Sequence, residues 1–96
     1  MFNNIKNLFK EQNRNFLRDS TDIYQAVQTL SDMGCEVEKI ICKKHRTPRI
    51  WLKHTGHCNK LDGAAKIRGS DESGRYRIIA SSLNQCEINW IVRGAA

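Results

Sequence analysis

The apolar positions of this chain change period once, at Gly34. Before it they recur three and four residues apart. Phe2, Ile5, Leu8, Phe9, Phe16 and Leu17 fall at helical spacing, opposite Asn3, Lys6, Asn7, Lys10, Gln12, Asn13 and Arg14. That pattern predicts an amphipathic helix, although asparagine is a mediocre helix former. The run Arg18, Asp19, Ser20 is expected to break it, with Ser20 or Thr21 capping a second helix. In that second helix Ile23, Ala26, Val27, Leu30 and Met33 form one stripe. Gly34 ends it, because glycine tolerates the left-handed conformation that a helix terminus needs.

After Gly34 the alternation is that of strands. CEVEKIICKK is expected to be a strand with Val37 and Ile41 on one face. HRTP is a turn in which Pro48 supplies a fixed φ. RIWLKH is a second strand, with Ile50 and Leu52 alternating against Arg49, Trp51 and Lys53. GHCNKLDG is a loop and AAKIRG a short third strand. GSDESG, with glycine at both ends, is a polar hairpin connection. RYRIIAS and CEINWIV are the last two strands, joined by SLNQ, with Cys86, Ile88, Trp90 and Val92 on one face. The expected fold is α+β: two N-terminal helices followed by an antiparallel sheet of four or five strands. Residues 1–96 are expected to form a single domain, with 1–19 as an amphipathic leader helix and 20–96 as helix plus sheet. The second helix suffices to cover one face of the sheet, so the leader is left for an edge, a second copy or a partner.

At 96 residues the chain buries roughly 60–65% of its unfolded surface, enough for a thin core and no deep enclosed cavity. Lys and Arg number 16 against 10 Asp and Glu, a net charge of +6. That surplus favours nucleic acid or an acidic protein face as partner. The opening MFNNIKNLFKEQ does not read as a signal peptide, and no stretch approaches a membrane span. A cytoplasmic protein with free thiols is therefore expected. Cys35, Cys42 and Cys86 stand beside apolar residues and read as small buried hydrophobes.

The stretch CKKHRTPRIWLKHTGHC, residues 42–58, sets out three possible chemistries. Cys42, His45, His54 and His57, with Cys58 in reserve, have the pairwise spacing of zinc ligands. Between the pairs, however, lie a turn and a strand, where a zinc finger would have a helix. A hairpin carrying His and Lys on its solvent face is the preferred reading. No cofactor is expected, and a structural zinc is the alternative. The basic residues Lys43, Lys44, Arg46, Arg49, Lys66, Arg68, Arg75 and Arg77 form a candidate phosphate-binding set. Lys66, Arg68, Arg75 and Arg77 would face one another across a hairpin, and like charges so opposed are destabilising without an anion between them. A solvated charged face is the ordinary outcome for such runs. Trp51 and Tyr76, set among these charges, suit base stacking or the anchor role in a protein interface.

The sequence has no Gly-rich phosphate loop, no nucleophile elbow and no carboxylate pair in a plausible cleft, so an enzyme is not expected. One catalytic alternative remains. Residues 74–79 and the closing strand have a superficial likeness to small basic RNA-cleaving toxins of the RelE type. That likeness would put Arg68, Arg75, Tyr76 and His54 in the active site, but two strands over 36–53 stand before the basic hairpin, which departs from the toxin pattern.

Gly34-Cys-Glu-Val37, Pro48-Arg-Ile-Trp-Leu52 and Cys86-Glu-Ile-Asn-Trp90, after a helical leader, resemble small accessory proteins of temperate phages and prophages of enteric bacteria. The resemblance implies a role by binding, as an antirepressor, a host-enzyme inhibitor or a modulator of DNA metabolism. It carries over no functional residue. The expected function is that of a non-enzymatic regulator whose partner is a repressor or host enzyme. Phe2, Ile5, Leu8, Phe9 and Trp51 would be the protein contacts, and a homodimer could form through the leader. A nucleic-acid-binding protein is the alternative. Membrane contact is not expected, since the leader's polar face carries Asn more than Lys.

Overall fold

The computed structural model describes the backbone of residues 2–43 and 45–94, and within the first helix the side chains of Arg14 and of residues from 16 onward. Helix α1 runs unbroken over Phe2–Asp32. The two helices expected on either side of Ser20 are therefore one. The physical reason is local. Thr21 does not cap; its Oγ1 donates back to the Leu17 carbonyl at 2.9 Å, and Thr29 does the same to Gln25 at 3.0 Å. Ser, Thr and Asp each cost only about 0.5 kcal/mol in a helix interior, too little to stop a helix held by packing. The apolar phase also carries through, since Phe2, Phe9, Phe16, Ile23 and Leu30 stand seven residues apart.

The helix does end at Gly34. Gly34 has φ +85°, the Cys35 N–H donates to the Leu30 carbonyl at 2.9 Å, and the Gly34 N–H donates to Ser31 at 3.0 Å. This pair of bonds is a Schellman closure. A Cβ at Gly34 would also lie 3.0 Å from Nδ1 of His57.

Five strands follow: β1 (Val37–Ile41), β2 (Arg49–Leu52), β3 (Ala64–Asp71), β4 (Gly74–Leu83) and β5 (Cys86–Arg93), with a short 3-10 turn over Gly56–Lys60. Their order in the sheet is β1-β2-β5-β4-β3. The expected antiparallel sheet is thus mixed. β5 pairs antiparallel with β4 but parallel with β2, Ile50 facing Ile88 and Leu52 facing Trp90. Segment 53–63 carries the chain from β2 to the far edge, where β3 starts. Joining β4 to β5, Asn84 and Gln85 both take positive φ, 49° and 65°, the geometry of a tight two-residue hairpin turn.

The second half of α1 closes one face of the sheet over β2 and β5, leaving β3 exposed. Ala26 and Leu30 are buried against Ile50, Leu52, Cys86, Ile88 and Trp90, and Ile23, Val27 and Met33 pack around them. The stripe read from the sequence over Ile23–Met33 is the one that seals the sheet. Val37 and Ile41, expected on one face, are on opposite ones. A bulge between Val37 and Lys39 shifts the register, so Val37 and Ile40 face the helix and Ile41 pairs with Arg49 on the other side.

Candidate functional site

Two of the surfaces that this architecture leaves uncovered carry apolar or aromatic side chains. The first is the leading part of α1. A 31-residue helix is about 46 Å long, and the molecule measures 60 × 30 × 18 Å. Asp19 and Asp22 are half-buried where the helix meets the sheet. Before them Phe16 is 47% and Leu17 67% exposed. The expected contacts Phe2, Ile5, Leu8 and Phe9 lie outside the described side chains.

The second surface is the face of the sheet away from α1. Strand alternation and register place Trp51, Asn89, Ala80 and Ala64 in one row across it, and Ile91, Ile78 and Ile67 in the next. Trp51 and Ile91 are half-buried and Ile67 is exposed. Tyr76 pairs with Gly69 and lies over it; a Cβ at Gly69 would come within 2.7 Å of the phenol oxygen. A cation lies over each of the two aromatic rings. Lys39 Nζ is 5.4 Å from the Trp51 ring and the Arg93 guanidinium 5.7 Å from the Tyr76 ring. Arg93 also binds Asp71 at 3.0 Å. Across the adjoining row Glu87 receives both Arg49 at 3.0 Å and Lys66 at 2.6 Å. The Lys66 hydrogen bond is the main reason the Glu87 carboxyl sits below the usual glutamate range, with the charges of Lys66 and Arg49 assisting against the opposing effect of burial.

Asn89 is the outlier on this face. It is 2% exposed, and its Oδ1 has no hydrogen-bond partner among the described residues. It was not among the residues singled out from the sequence. A signal was present: asparagine is depleted in strands, yet this one stands mid-strand between Ile88 and Trp90.

The eight basic residues proposed for phosphate do not form one stripe. Lys43 and Arg46 flank the β1–β2 turn, and Lys44 lies outside the described residues. Arg49 and Lys66 share Glu87 on the bare face. Arg68 and Arg77 pair directly across β3 and β4 on the helix side, with Arg75 opposite Ser70 on the same side. Three of the four hairpin charges are therefore together, and the bulge between Ala65 and Ile67 separates Lys66 from them. The toxin-like set is divided by the sheet: Arg68 and Arg75 are on the helix side, Tyr76 is on the other, and His54 follows β2.

The zinc-spaced residues are separated as well. Cys42 and His45 follow the Ile41–Arg49 end of the β1–β2 hairpin, while His54 and His57 follow its Val37–Leu52 end. The ends are roughly 13 Å apart at ordinary strand rise. Among the described residues no group of three or more His, Cys, Asp or Glu could hold a metal ion. All four cysteines are free thiols. Cys35, Cys58 and Cys86 are buried, whereas Cys42 is exposed, so the reading of Cys42 as a buried hydrophobe is corrected; it stands past the last residue of β1. Burial pushes the Cys35 and Cys86 thiols up, with Cys58 adding for the former and Asp22 and Asp19 for the latter. Such thiols stay protonated and are poor nucleophiles.

No helix among the described residues is long and apolar enough to cross a membrane. Compared with known proteins, the chain matches no family model, and no curated protein or solved structure matches it significantly.

Proposed function

We propose that this protein is a non-catalytic regulator that binds another protein through the projecting part of α1. One observation carries the reading. A single apolar stripe runs along the helix; its second half is consumed by the sheet, while Phe16 and Leu17, one turn before the sheet begins, are exposed. Apolar side chains in helical phase are what a groove-forming partner accepts. In sequence the stripe continues through Phe9, Leu8, Ile5 and Phe2. The helix enters the sheet without a break, so its leading part is held in one direction and loses little entropy on docking. The role is that of an antirepressor or host-enzyme inhibitor of the phage type. A second copy docking through the same stripe would give a homodimer.

The test is a Phe16→Asp, Leu17→Asp double variant. Both positions are exposed, so thermal unfolding should stay within a few degrees of the parent, a shift of about 0.5 kcal/mol or less. Capture of the partner from the native cell, or self-association in sedimentation velocity, should fall at least about tenfold. Undiminished binding and assembly would show that the helix is not the contact.

A further inference from the structure

Asn89 stands at the centre of the bare sheet face, beside Trp51 on β2 and Ala80 on β4. Its carboxamide is buried with an acceptor unpaired among the described residues. A buried acceptor left unpaired is costly, and a ligand that donates to it removes the cost. Toward the next row of the same face, a cleft of about 370 Å³ opens beside Trp51, lined also by Leu52, Ile91, Arg93, His54 and Glu38. On the other side Ala80 and Ala64 leave the row shallow. Trp51 and Tyr76 occupy the same face, roughly 16 Å apart by strand rise and spacing. Each has a cation over its ring, which a stacking base would displace toward its own phosphate.

We propose that this face binds single-stranded nucleic acid, one base entering the cleft beside Trp51 and a second stacking at Tyr76. Flat aromatic platforms in a bare sheet take unpaired bases, whose π faces a duplex hides. The charges agree in sign. Lys39, Arg49, Lys66 and Arg93 outnumber the carboxylates Glu38, Asp71 and Glu87 on or around this face, within a chain of net charge +6. Arg49 and Lys66 share one carboxylate, so that cluster keeps a positive charge for a phosphate. Glu38 at the cleft repels phosphate and accepts from a base amino group, which directs the base inward and the backbone toward Arg49 and Lys66. The proposal is independent of the helix contact.

The full 96-residue chain, labelled with 15N, is titrated at low salt with a short unstructured oligonucleotide, as DNA and as RNA, and with the duplex of the same sequence. The expected shifts are on the Trp51 indole N–H, the Asn89 side-chain amide and the backbone near Tyr76. Single strands should bind at least about tenfold more tightly than duplex, and Trp51→Ala should weaken binding about tenfold, with Trp51→Phe intermediate. The label needs no substitution, so the shifts stand even where Trp51→Ala unfolds. Shifts confined to Lys43 and Arg46, or to Arg68 and Arg75, would overturn the proposal. Equal binding of duplex would do so too, as would no binding at low salt. A protein partner that shifts the same signals, with no oligonucleotide doing so, would assign the face to protein docking instead.

Discussion

On the helix side of β5, Ile88 and Trp90 are sealed beneath Ala26 and Leu30. One residue over, on the other side, Asn89 is equally buried but lacks a partner for its acceptor, and Ile91 is half-buried beside Trp51. The strands are the same; the demands on their two faces differ. The helix side is complementary to something the chain itself supplies. The bare side carries isoleucines, shared ion pairs and aromatic rings with Lys39 and Arg93 over them, and it packs against no helix among the described residues. A face kept only for solubility would be polar throughout. Unpaired buried polar atoms occur on both sides, Asn89 Oδ1 on the bare face and Arg77 Nε on the helix side, so what sets the faces apart is the helix that one of them receives.

Truncation on either side breaks the comparison most sharply. Ile88→Ala should destabilise by roughly 3 kcal/mol, since Ile88 is fully enclosed and leaves a cavity. For a domain of this size that lowers Tm by roughly 12–24 °C. Ile78→Ala, on the bare face, should cost about 1 kcal/mol. Similar losses in calorimetry would mean that both faces serve stability alike.

Asn89→Leu sharpens the contrast in the opposite direction. Leucine keeps the branched shape and removes the orphan acceptor, but it is bulkier, which offsets part of the gain, so the variant should gain about 0.5 kcal/mol, or roughly 2–4 °C in Tm. A fall in Tm of more than about 10 °C would mean that the amide has a structural partner.

The smallest expected effect is at Glu87. Its folded carboxyl is held below the ordinary glutamate range by Lys66 first, so the unfolded chain binds its proton more readily. The resulting stability is complete above the unfolded glutamate range and is lost as pH falls through the folded value. Glu87→Gln should therefore flatten this part of the acid limb of a Tm-against-pH profile. Parent and variant should converge in acid. An unchanged limb would mean that the Arg49–Glu87–Lys66 cluster contributes nothing.

Much of the helix side was readable in advance. The Ile23–Met33 stripe, the stop at Gly34 and the alternation of Ile50 with Leu52 and of Ile88 with Trp90 are local periodicities, and local periodicity is what burial imprints. Three features were not legible, each for its own reason. Ser20 and Thr21 are as compatible with helix interior as with a cap, and only the packing that fixes the whole helix decides between them. The parallel pairing of β2 with β5 joins segments about forty residues apart, and nothing in either strand names its neighbour. The bulge at Glu38 is one residue wide, yet it reverses the side on which Ile41 falls. Trp51 could be flagged as a contact from its charged neighbours. Asn89 could not be weighed until its amide was seen without a partner.

The position of β5 has a consequence for how the molecule comes into being. The strand translated last among the five lies in the middle of the sheet, between β2 and β4. Until Cys86–Arg93 leave the ribosome, the β1–β2 hairpin and the β3–β4 hairpin have no common neighbour, and α1 has only half a floor to settle on. Assembly should thus be a late, single closure with slow kinetics for so short a chain. A nascent protein interrupted anywhere before Cys86 should be recognised by cellular quality control as unfinished.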